Sequence, residues 1–578
     1  MKNHRSGFNW KGTTYVTMCI ALLAVTVSPV AAEMIPPGRV VPWEGNVGVP
    51  GGIPSRTTNC TTAACNSLYG GTVTAASINN AISSAPVDSV VRLPVGTYDI
   101  TGGIRLKNRV VLRGAGMNAT TLNLNFSGDG ITTPQSAYSS SGTLSSGHTK
   151  GSNSVVVSSA SGLSINDSII LYENNDPDIV WSRTGGTNVI RQIVRITGIS
   201  GNTVTFTPRL VFTYKASLNP GFRKVANMSS HIGLEDMTLN AQKGVLGNIV
   251  WYDSCYASWI KNVKTKYTNN AHIFLTRTLF NEIRECYITE TTSQNDGFGV
   301  YANQLYDFSG ANTGLLVENN IFAALWTSVI LNNATGCVVA YNYAHNTHTN
   351  SASIQTPSYV TQHGPHGLMS LWEGNVGQGI QNDGYHGSGS HQTFFRNHFH
   401  GLNPSFTANR KMVDLCRFSY YHNVVGNVLG DPSWTARSYE MTGTPSVTAT
   451  IYRLGYPHMG NNGFVDGQPP QGSGDSDGSG GLDPKVRATL FRHMNYDYYN
   501  SATKYCTEAG EPGCQGGDGS RTLPDSLYLS ARPSWWGSRA WPPIGPDLSP
   551  KAGRIPAQDR FEGVAGLKPP TGVKVVPQ

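Results

Sequence analysis

The chain has 578 residues, of which only 13% are charged, and it contains 65 glycines. Its formal net charge of +7 is small for this length and no Lys/Arg-rich run occurs, so the sequence does not indicate nucleic-acid binding. Low charge, abundant turn-forming residues and few long helical patterns together predict a large, mainly β protein.

The first 32 residues have the plan of a secretory signal peptide. Basic residues precede an apolar run at 15–27, and a small-residue motif ends at Ala32. The apolar run is too short to span a membrane comfortably, and the sequence holds no second long apolar stretch. We therefore expect residues 1–32 to be removed and the mature protein to be secreted or periplasmic, without a membrane span. We also expect a monomer.

Eight of the nine cysteines follow the predicted signal peptide. Cys60 and Cys65 form one close pair and Cys506 and Cys514 another, and in an oxidising compartment we expect each pair to form a disulfide. The remaining cysteines are widely spaced among apolar or aromatic neighbours, and we predict buried thiols at Cys255, Cys286, Cys337 and Cys416.

A short helix and a quick succession of short strands open the mature chain. The helical pattern covers 74–86, and alternating runs follow at 90–100, 102–116 and 120–125 between Gly, Asn or Asp turns. This succession resembles the N-terminal cap and first coils of the pectate-lyase-like, right-handed parallel β-helix superfamily. The resemblance implies an all-β solenoid that acts on polysaccharides, and it does not specify one chemistry.

The strand pattern divides the remainder of the chain. Hairpin signals at 148–213 predict an antiparallel insertion, and from residue 229 strand-like runs recur about every 22–34 residues, as solenoid coils do. An aromatic, Pro-rich tail is predicted to be a strap over the solenoid rather than a sugar-stacking platform. The predicted segments are the signal peptide at 1–32, the N-terminal cap and first coils at 33–130, the insertion at 131–228, the central β-helix at 229–430, and C-terminal coils with a Gly/Ser loop and capping tail at 431–578.

An asparagine follows several of the recurring strands. Asparagine tolerates the left-handed conformation of a tight turn, and stacked amides can hydrogen-bond along a solenoid. We therefore predict a structural role for these asparagines, which are Asn262, Asn319, Asn342, Asn375, Asn397 and Asn423.

Residues 363–400 contain the candidate functional residues. Six of the 15 histidines lie in this stretch, together with a tyrosine, an arginine and two acidic residues among many glycines. A β-helix core is filled with strand side chains, so substrate has to bind outside it, and the two longest insertions of the repeat fall in or just before this stretch. Imidazole, phenol and carboxylate groups exchange protons, which predicts an active site here.

Among the reactions that the resemblance to this superfamily implies, these residues favour β-elimination on a polysaccharide that contains uronic acids. This reaction requires a base for the C5 proton, an acid for the leaving oxygen and a group that neutralises the uronate carboxylate. We assign candidate bases at His363, His366, His386 and His391, with His366 or His386 preferred, the acid at Tyr385, the neutralising group at Arg396 or Arg410, Ca²⁺ ligands at Glu373 and Asp383, and a further substrate contact at Trp372. A bound Ca²⁺ is thus an optional cofactor.

Three alternatives remain open at this point. A polygalacturonase-like hydrolase is suggested by Asn295-Asp296-Gly297, Asn382-Asp383-Gly384 and the Gly-His-Gly-like residues 363–367, although the adjacent Asp pair and the Arg-x-Lys motif of that family are missing. A zinc site could draw on the clustered histidines. A non-catalytic glycan-binding or adhesin-like β-helix is the third, but a binding groove has less need of general bases.

Overall fold

The computed structural model describes residues 34–182, 186–241, 246–292, 297–303, 310–347, 356–404, 410–433, 438–441, 449–455 and 483–563. Several predictions fall on residues outside these ranges. They are the signal peptide at 1–32, the Gly/Ser loop at 467–481, the first part of the insertion that precedes His363, and the motif residues Asn295 and Asp296.

The chain forms a right-handed parallel β-helix, as predicted, with three sheets along its axis. Successive coils pair in register, so that Leu316, Val338 and Leu371 are neighbours across three strands. The first sheet comprises Val90–Arg92, Gly96–Ile100, Val111–Arg113, Thr120–Leu124, Gly233–Ala241, Trp259–Thr268, Glu282–Arg284, Tyr287–Thr291, Leu316–Glu318, Ile321–Ala323, Val338–Ala340, Tyr343–His345, Leu371–Glu373, Val376–Gly377, Thr393–Phe395, His398–Phe399, Asn423–Val425, Val428–Leu429, Phe491–His493, Asn495–Asp497 and Ala502–Lys504.

The candidate site lies where strands of the second sheet end. The inward side chains of this sheet form part of the core. Val300, Val329, Tyr359 and Ile380 stack on one another in successive coils and are fully buried. The second sheet comprises Ile104–Arg105, Ile131–Thr132, Asn248–Asp253, Ala271–Thr276, Phe298–Ala302, Thr327–Leu331, Tyr359–Gln362, Ile380–Asn382, Lys411–Leu415, Ser438–Met441 and Thr450–Leu454, and the short third sheet comprises Ser229–Ser230, Cys255–Tyr256, Thr278–Leu279, Asn312–Thr313 and Ala334–Thr335.

The predicted antiparallel insertion is a closed six-stranded barrel that packs on the third sheet. Ile193 donates its backbone N–H to Thr313 Oγ1 (2.9 Å), and Thr335 Oγ1 donates to the backbone oxygen of Arg191 (2.6 Å). Its strands are Tyr138–Ser146, Ser154–Val157, Ser168–Tyr172, Arg191–Ser200, Thr203–Thr207 and Gly221–Val225. The insertion is confirmed as an element of the fold, and the boundaries proposed for the five segments stay predictions.

Helices are few and short. The predicted helix at 74–86 is Ala75–Ser84, which Thr74 caps and whose Ile78, Ala81 and Ile82 are buried against the first coils. The other α-helices are Ala63–Gly70, Pro484–Thr489 and Pro556–Glu562, and short 3-10 helices occur at Ala216–Leu218 and Ser534–Trp536. Across the described ranges, no helix is both long and apolar enough to cross a membrane.

Both predicted disulfides are present. Cys60 is bonded to Cys65 beside the N-terminal helices, and Cys506 is bonded to Cys514 near the C-terminal end of the solenoid. The cysteines expected to remain thiols are free and buried at Cys255, Cys286, Cys337 and Cys416. The predicted division of the eight cysteines into four in disulfides and four buried thiols is therefore confirmed.

An asparagine ladder runs through the turns of the first sheet. Asn342 Nδ2 donates to Asn375 Oδ1 (3.0 Å), and Asn375 Nδ2 donates to Asn397 Oδ1 (3.0 Å). The structural role predicted for these three is confirmed. The neighbouring coils use different residues from those predicted, and the whole ladder is Asn320, Asn342, Asn375, Asn397, Asn427 and Asn495.

The left-handed residue of each turn precedes the ladder asparagine. Tyr341, Gly374 and Arg396 have φ of 54°, 66° and 51° and stand directly before three members of the ladder. The asparagine itself points inward, where its amide satisfies backbone groups of adjacent coils. The residue before it points outward, so this position is free to contact other parts of the chain.

The C-terminal tail, residues 523–563, covers this outward row as the predicted strap. Tyr528 donates its hydroxyl to Glu318 Oε1 (2.6 Å), and Trp536 packs edge-on against Tyr341 with ring centroids 4.9 Å apart. Trp536 is only 2% exposed, so it forms part of the packing between tail and solenoid. The tail closes one side of the solenoid and leaves the edge of the second sheet to other segments.

Candidate functional site

Two proton-active residues meet where neighbouring strands of the second sheet end. His363 follows Tyr359–Gln362, and Asp383 follows Ile380–Asn382 in the next coil. Stacked coils are about 4.8 Å apart, so the residues after the two strands lie side by side. His363 Nδ1 is hydrogen-bonded to Asp383 Oδ2, and the two side chains are 18% and 13% exposed.

Tyr385 and His386 complete the group that we call the His363 cluster. The ring of Tyr385 stacks on His363 with centroids 5.5 Å apart and planes at 18°, and His386 lies edge-on to His363 at 4.7 Å. Two backbone hydrogen bonds hold this arrangement, from Tyr385 N–H to Asp383 Oδ1 (2.9 Å) and from His386 N–H to the His363 oxygen (3.0 Å). The structure thus brings together four of the predicted site residues.

Two asparagines of the preceding coil, Asn332 and Asn333, position the cluster. They were not singled out in the sequence analysis. Asn332 Oδ1 accepts hydrogen bonds from the backbone N–H groups of His363 (2.7 Å) and Gly364 (2.8 Å), and Asn333 Oδ1 accepts from His366 N–H (3.0 Å). The signal that could have found them is the Asn-Asn pair directly after the strand Thr327–Leu331. Such amides fix the start of the loop before substrate arrives.

The pairing of histidine and aspartate has a chemical consequence. An ionised carboxylate only accepts hydrogen bonds, so Asp383 fixes the tautomer in which His363 Nδ1 carries the proton. The Nε2 atom of His363 then keeps a lone pair that can accept a proton. Tyr385 next to it offers a phenolic O–H, and one base and one acid are thereby available at the rim of the sheet.

His366, one of the two preferred bases, is a buried structural residue. Its Nδ1 lies 3.2 Å from Ser388 Oγ and its Nε2 2.8 Å from Ser390 Oγ, and its side chain is 0% exposed. Burial lowers the pKa of His366 to about 3, which keeps the ring neutral. With both nitrogens engaged and no access for substrate, His366 supports the loop and does not contact substrate.

His391 also has a structural position. It is the left-handed residue of a turn (φ 54°), its ring stacks on Tyr421 at 4.9 Å, and its Nδ1 lies 2.8 Å from Ser390 Oγ. Phe212 from the barrel packs against the other side at 5.6 Å, and burial lowers the pKa of His391 well below its ordinary value. These contacts separate His391 from the cluster.

Glu373 and Arg396 belong to the first sheet and lie under the C-terminal tail. Glu373 accepts hydrogen bonds from Tyr341 (2.9 Å), from Ser526 (2.5 Å) and from Leu527 N–H (2.9 Å), and it is 0% exposed. Because these partners fill its surroundings, Glu373 cannot join Asp383 in binding Ca²⁺. The predicted Ca²⁺ pair is therefore not brought together.

Arg396, the predicted neutralising group, anchors the tail. It donates to the backbone oxygens of Pro524 (2.9 Å) and Ile544 (3.0 Å) and forms a two-point ion pair with Asp547 (2.9 and 2.8 Å). Its side chain is almost wholly buried. A substrate carboxylate could reach this guanidinium only after the tail had left.

We expect Arg396→Ala to weaken the tail and to leave catalysis unchanged. Losing these charge-assisted contacts should lower the free energy of unfolding by roughly 2–4 kcal/mol, measured by urea denaturation. Limited proteolysis should cut first within 523–563. The exposed Arg105→Ala serves as control, and a large fall in kcat without loss of stability would restore the neutralising role.

A second prediction concerns Glu373 and pH. Burial raises its pKa from 4.5 to about 7, so its contribution to stability is complete below pH 4.5 and is lost as pH rises through about 7. Glu373→Gln stays neutral, and its stability relative to the parent chain should therefore increase by up to about 3 kcal/mol over this range. Urea denaturation at several pH values measures the difference, and Glu508→Gln, which changes a more solvated carboxyl group, is the control.

The two remaining candidate substrate contacts are not at the cluster. Trp372 is fully buried in the core, where its Nε1 donates to Gln392 Oε1 (3.2 Å). Arg410 is partly exposed but directly precedes Lys411–Leu415, whereas the cluster lies after the opposite end of the adjoining strand. Arg410 and His363 therefore lie at opposite ends of the strands, separated by the length of a strand.

Among the described residues, side chains that could bind a metal ion lie apart. Within these ranges, no group of three or more His, Cys, Asp or Glu side chains is arranged to hold one. The predicted zinc set is divided, because His366 and His391 are each engaged with serine hydroxyls away from His363. Acid–base chemistry by side chains is supported by the His363–Asp383 pair and the adjacent phenol of Tyr385.

The chain is similar to known proteins in part of its sequence and in its structure. A family model described as rhamnogalacturonase A/epimerase, pectate lyase-like, matches residues 69–207 and confirms the resemblance to that superfamily. No curated protein sequence matches the chain. Similar solved structures include the tailspike protein gp49 of Pseudomonas phage LKA1 (13% identity, 66% of this chain and 69% of that chain, TM-score 0.42) and the mannuronan C-5 epimerase AlgE4 A-module of Azotobacter vinelandii (14% identity, 65% and 89%, TM-score 0.35).

Proposed function

We propose that this pectate-lyase-like β-helix protein is an exported enzyme that cleaves an acidic polysaccharide by β-elimination at the His363 cluster. The observation that carries the proposal is the hydrogen-bonded His363–Asp383 pair with Tyr385 stacked on it, at a partly exposed sheet edge. The family match covers 69–207 and does not reach the cluster. The reaction type therefore rests on the residues of the cluster.

Each residue has one role in the proposed reaction. His363 Nε2 removes the C5 proton of a uronate residue, and the Asp383 carboxylate stabilises the imidazolium that forms. The electrons of the C–H bond form a double bond between C4 and C5, and the bond from C4 to the glycosidic oxygen breaks. Tyr385 donates its phenolic proton to that oxygen, and His386 borders the substrate.

Two alternatives are less well supported by the cluster. A glycoside hydrolase needs two carboxyl groups on either side of the scissile bond, whereas the cluster contains one, which is already paired with His363. A purely adhesive β-helix has no need of a histidine oriented by a carboxylate. Elimination needs a base and an acid, and the cluster supplies both.

A panel of acidic and neutral polysaccharides tests the proposal. Elimination should raise the ultraviolet absorbance of unsaturated ends together with reducing ends, and only on uronate-containing substrates. Reducing ends without that absorbance would indicate hydrolysis, and binding without cleavage would indicate an adhesin. If a chelator abolished activity and Ca²⁺ restored it, a cation would be the neutralising group.

A further inference from the structure

We infer that the inserted barrel positions the catalytic groups, because its segment 179–182 braces the glycine-rich loop 383–390 that carries Tyr385 and His386. The inference rests on the proposed function for its kinetic consequence, and the brace itself can be tested without activity. It gives the barrel a role in the reaction that its place in the chain, remote from the cluster, does not indicate.

The brace consists of direct contacts between barrel and loop. Ser182 pairs with Gly387 as an antiparallel bridge, and Ser388 donates its backbone N–H to the Trp181 oxygen (2.9 Å). Ser388 Oγ accepts the backbone N–H of Trp181 (2.8 Å) and donates to the Ile179 oxygen (2.9 Å). Backbone groups of both partners are thus satisfied across the contact.

Three of the eight residues of the loop are glycines, so contacts with other segments help to restrict its conformation. It contains Gly384, Gly387 and Gly389, and glycine adds freedom to the unrestrained chain. At Gly387 an added Cβ would lie 2.4 Å from Pro365 Cδ, so this position has no room for a side chain. External hydrogen bonds are the means by which such a loop keeps one conformation.

The bracing segment is itself held on both sides. Lys215 Nζ lies 2.7 Å from Asp176 Oδ2, and the Asp176 backbone oxygen accepts the N–H of Val180 (2.8 Å), which ties the segment to the barrel. Lys485, in the short helix Pro484–Thr489, donates Nζ to the Asp178 oxygen (2.8 Å) and ties it to the solenoid. Because segment 179–182 is fixed to both the barrel and the solenoid, it can restrict the movement of the loop.

A displaced loop should affect turnover more than binding. Tyr385 lies three residues before Ser388, and a displacement of about 1 Å of a catalytic group can cost about 100-fold in rate. KM should depend less on this displacement, because the imidazole and the phenol act mainly in the transition state. Ser388 and Trp181 are thus positioning residues, acting through the loop.

Two serines of the same loop allow a matched test. Ser388 and Ser390 are both fully buried and both contact His366, but only Ser388 also contacts the barrel, whereas Ser390 Oγ lies 2.8 Å from His391 Nδ1. The variants are Ser388→Ala and Ser390→Ala in the full chain. Hydrogen–deuterium exchange of peptides covering 179–182 and 383–390 is measured beside kcat and KM.

Ser388→Ala should raise exchange in both peptides and lower kcat by about 10- to 100-fold with little change in KM. Ser390→Ala should leave peptide 179–182 unchanged and lower kcat less. Should Ser388→Ala not fold, Ser388→Cys keeps the size of the side chain and weakens its hydrogen bonds.

Equal exchange at 179–182 in the two variants would overturn the brace. Raised exchange with an unchanged kcat would show a contact that stabilises without positioning, and would overturn the inference as well. If the parent chain cleaves no polysaccharide, the proposed function and the kinetic part of the inference fall together, while exchange still decides whether the brace exists.

Discussion

Replacing His363 by alanine is expected to lower kcat on the cleaved polysaccharide by about 10²–10⁴-fold, the usual contribution of a positioned general base. The reason is local, because Asp383 orients the ring and leaves Nε2 for the substrate proton. KM should change much less, since the imidazole acts mainly in the transition state. Initial rates of unsaturated product over a range of substrate concentrations measure both constants.

The control for His363 is His398, which is close in sequence but lies away from the cluster in the structure. His398 is half-buried in the first sheet, where its Nε2 lies 3.2 Å from the Gly430 oxygen, and His398→Ala should change kcat little. Asp383→Asn should reduce kcat with His363 still present, because the favoured tautomer is lost. Near-normal rates in a folded His363→Ala protein would show that this site is wrong.

Tyr385→Phe is expected to give the second large effect. It removes the phenolic O–H alone and keeps the ring stacked on His363. Without a proton donor for the leaving oxygen, kcat should fall by about 10²–10⁴-fold on the natural polysaccharide. The loss should shrink on a substrate with an acidic phenol as leaving group, because such an oxygen departs without protonation.

The chain supplies a matched control for this tyrosine. Tyr421 also stacks on a histidine, His391, at 4.9 Å, but in a turn away from the cluster. Tyr421→Phe should therefore keep kcat for both substrates. A Tyr385→Phe deficit of equal size on both substrates would argue against an acid and for a role in shaping the site.

The architecture could be predicted because it is repeated. Each coil must supply alternating strands and tight turns, and this requirement appears in the sequence again and again from residue 229 onward. Asn342, Asn375 and Asn397 were placed correctly in the ladder. The prediction at Asn319 was wrong by one residue, because the ladder uses Asn320. Both positions are asparagine, so the sequence does not show which one is the left-handed residue of the turn and which one points inward.

Part of the site was also predictable. The concentration of proton-active residues around 363–386 singled out His363, Asp383, Tyr385 and His386, and stacking of successive coils brought them together as expected. Which of two histidines three residues apart would face outward was not predictable. His366 and His363 share a Gly/Pro loop, and no periodicity assigns a direction to side chains there.

The solenoid, its disulfides, three of its inward asparagines and the stretch that holds the candidate site could be predicted from the sequence, since these depend on local spacing and on repetition. Which residues of that stretch remain accessible depends on contacts between distant segments. Glu373 and Arg396 are covered by a tail more than a hundred positions away, and the loop after Asp383 is braced by the barrel. Contacts between distant segments leave no periodic signal, because each depends on how complete folded elements fit together.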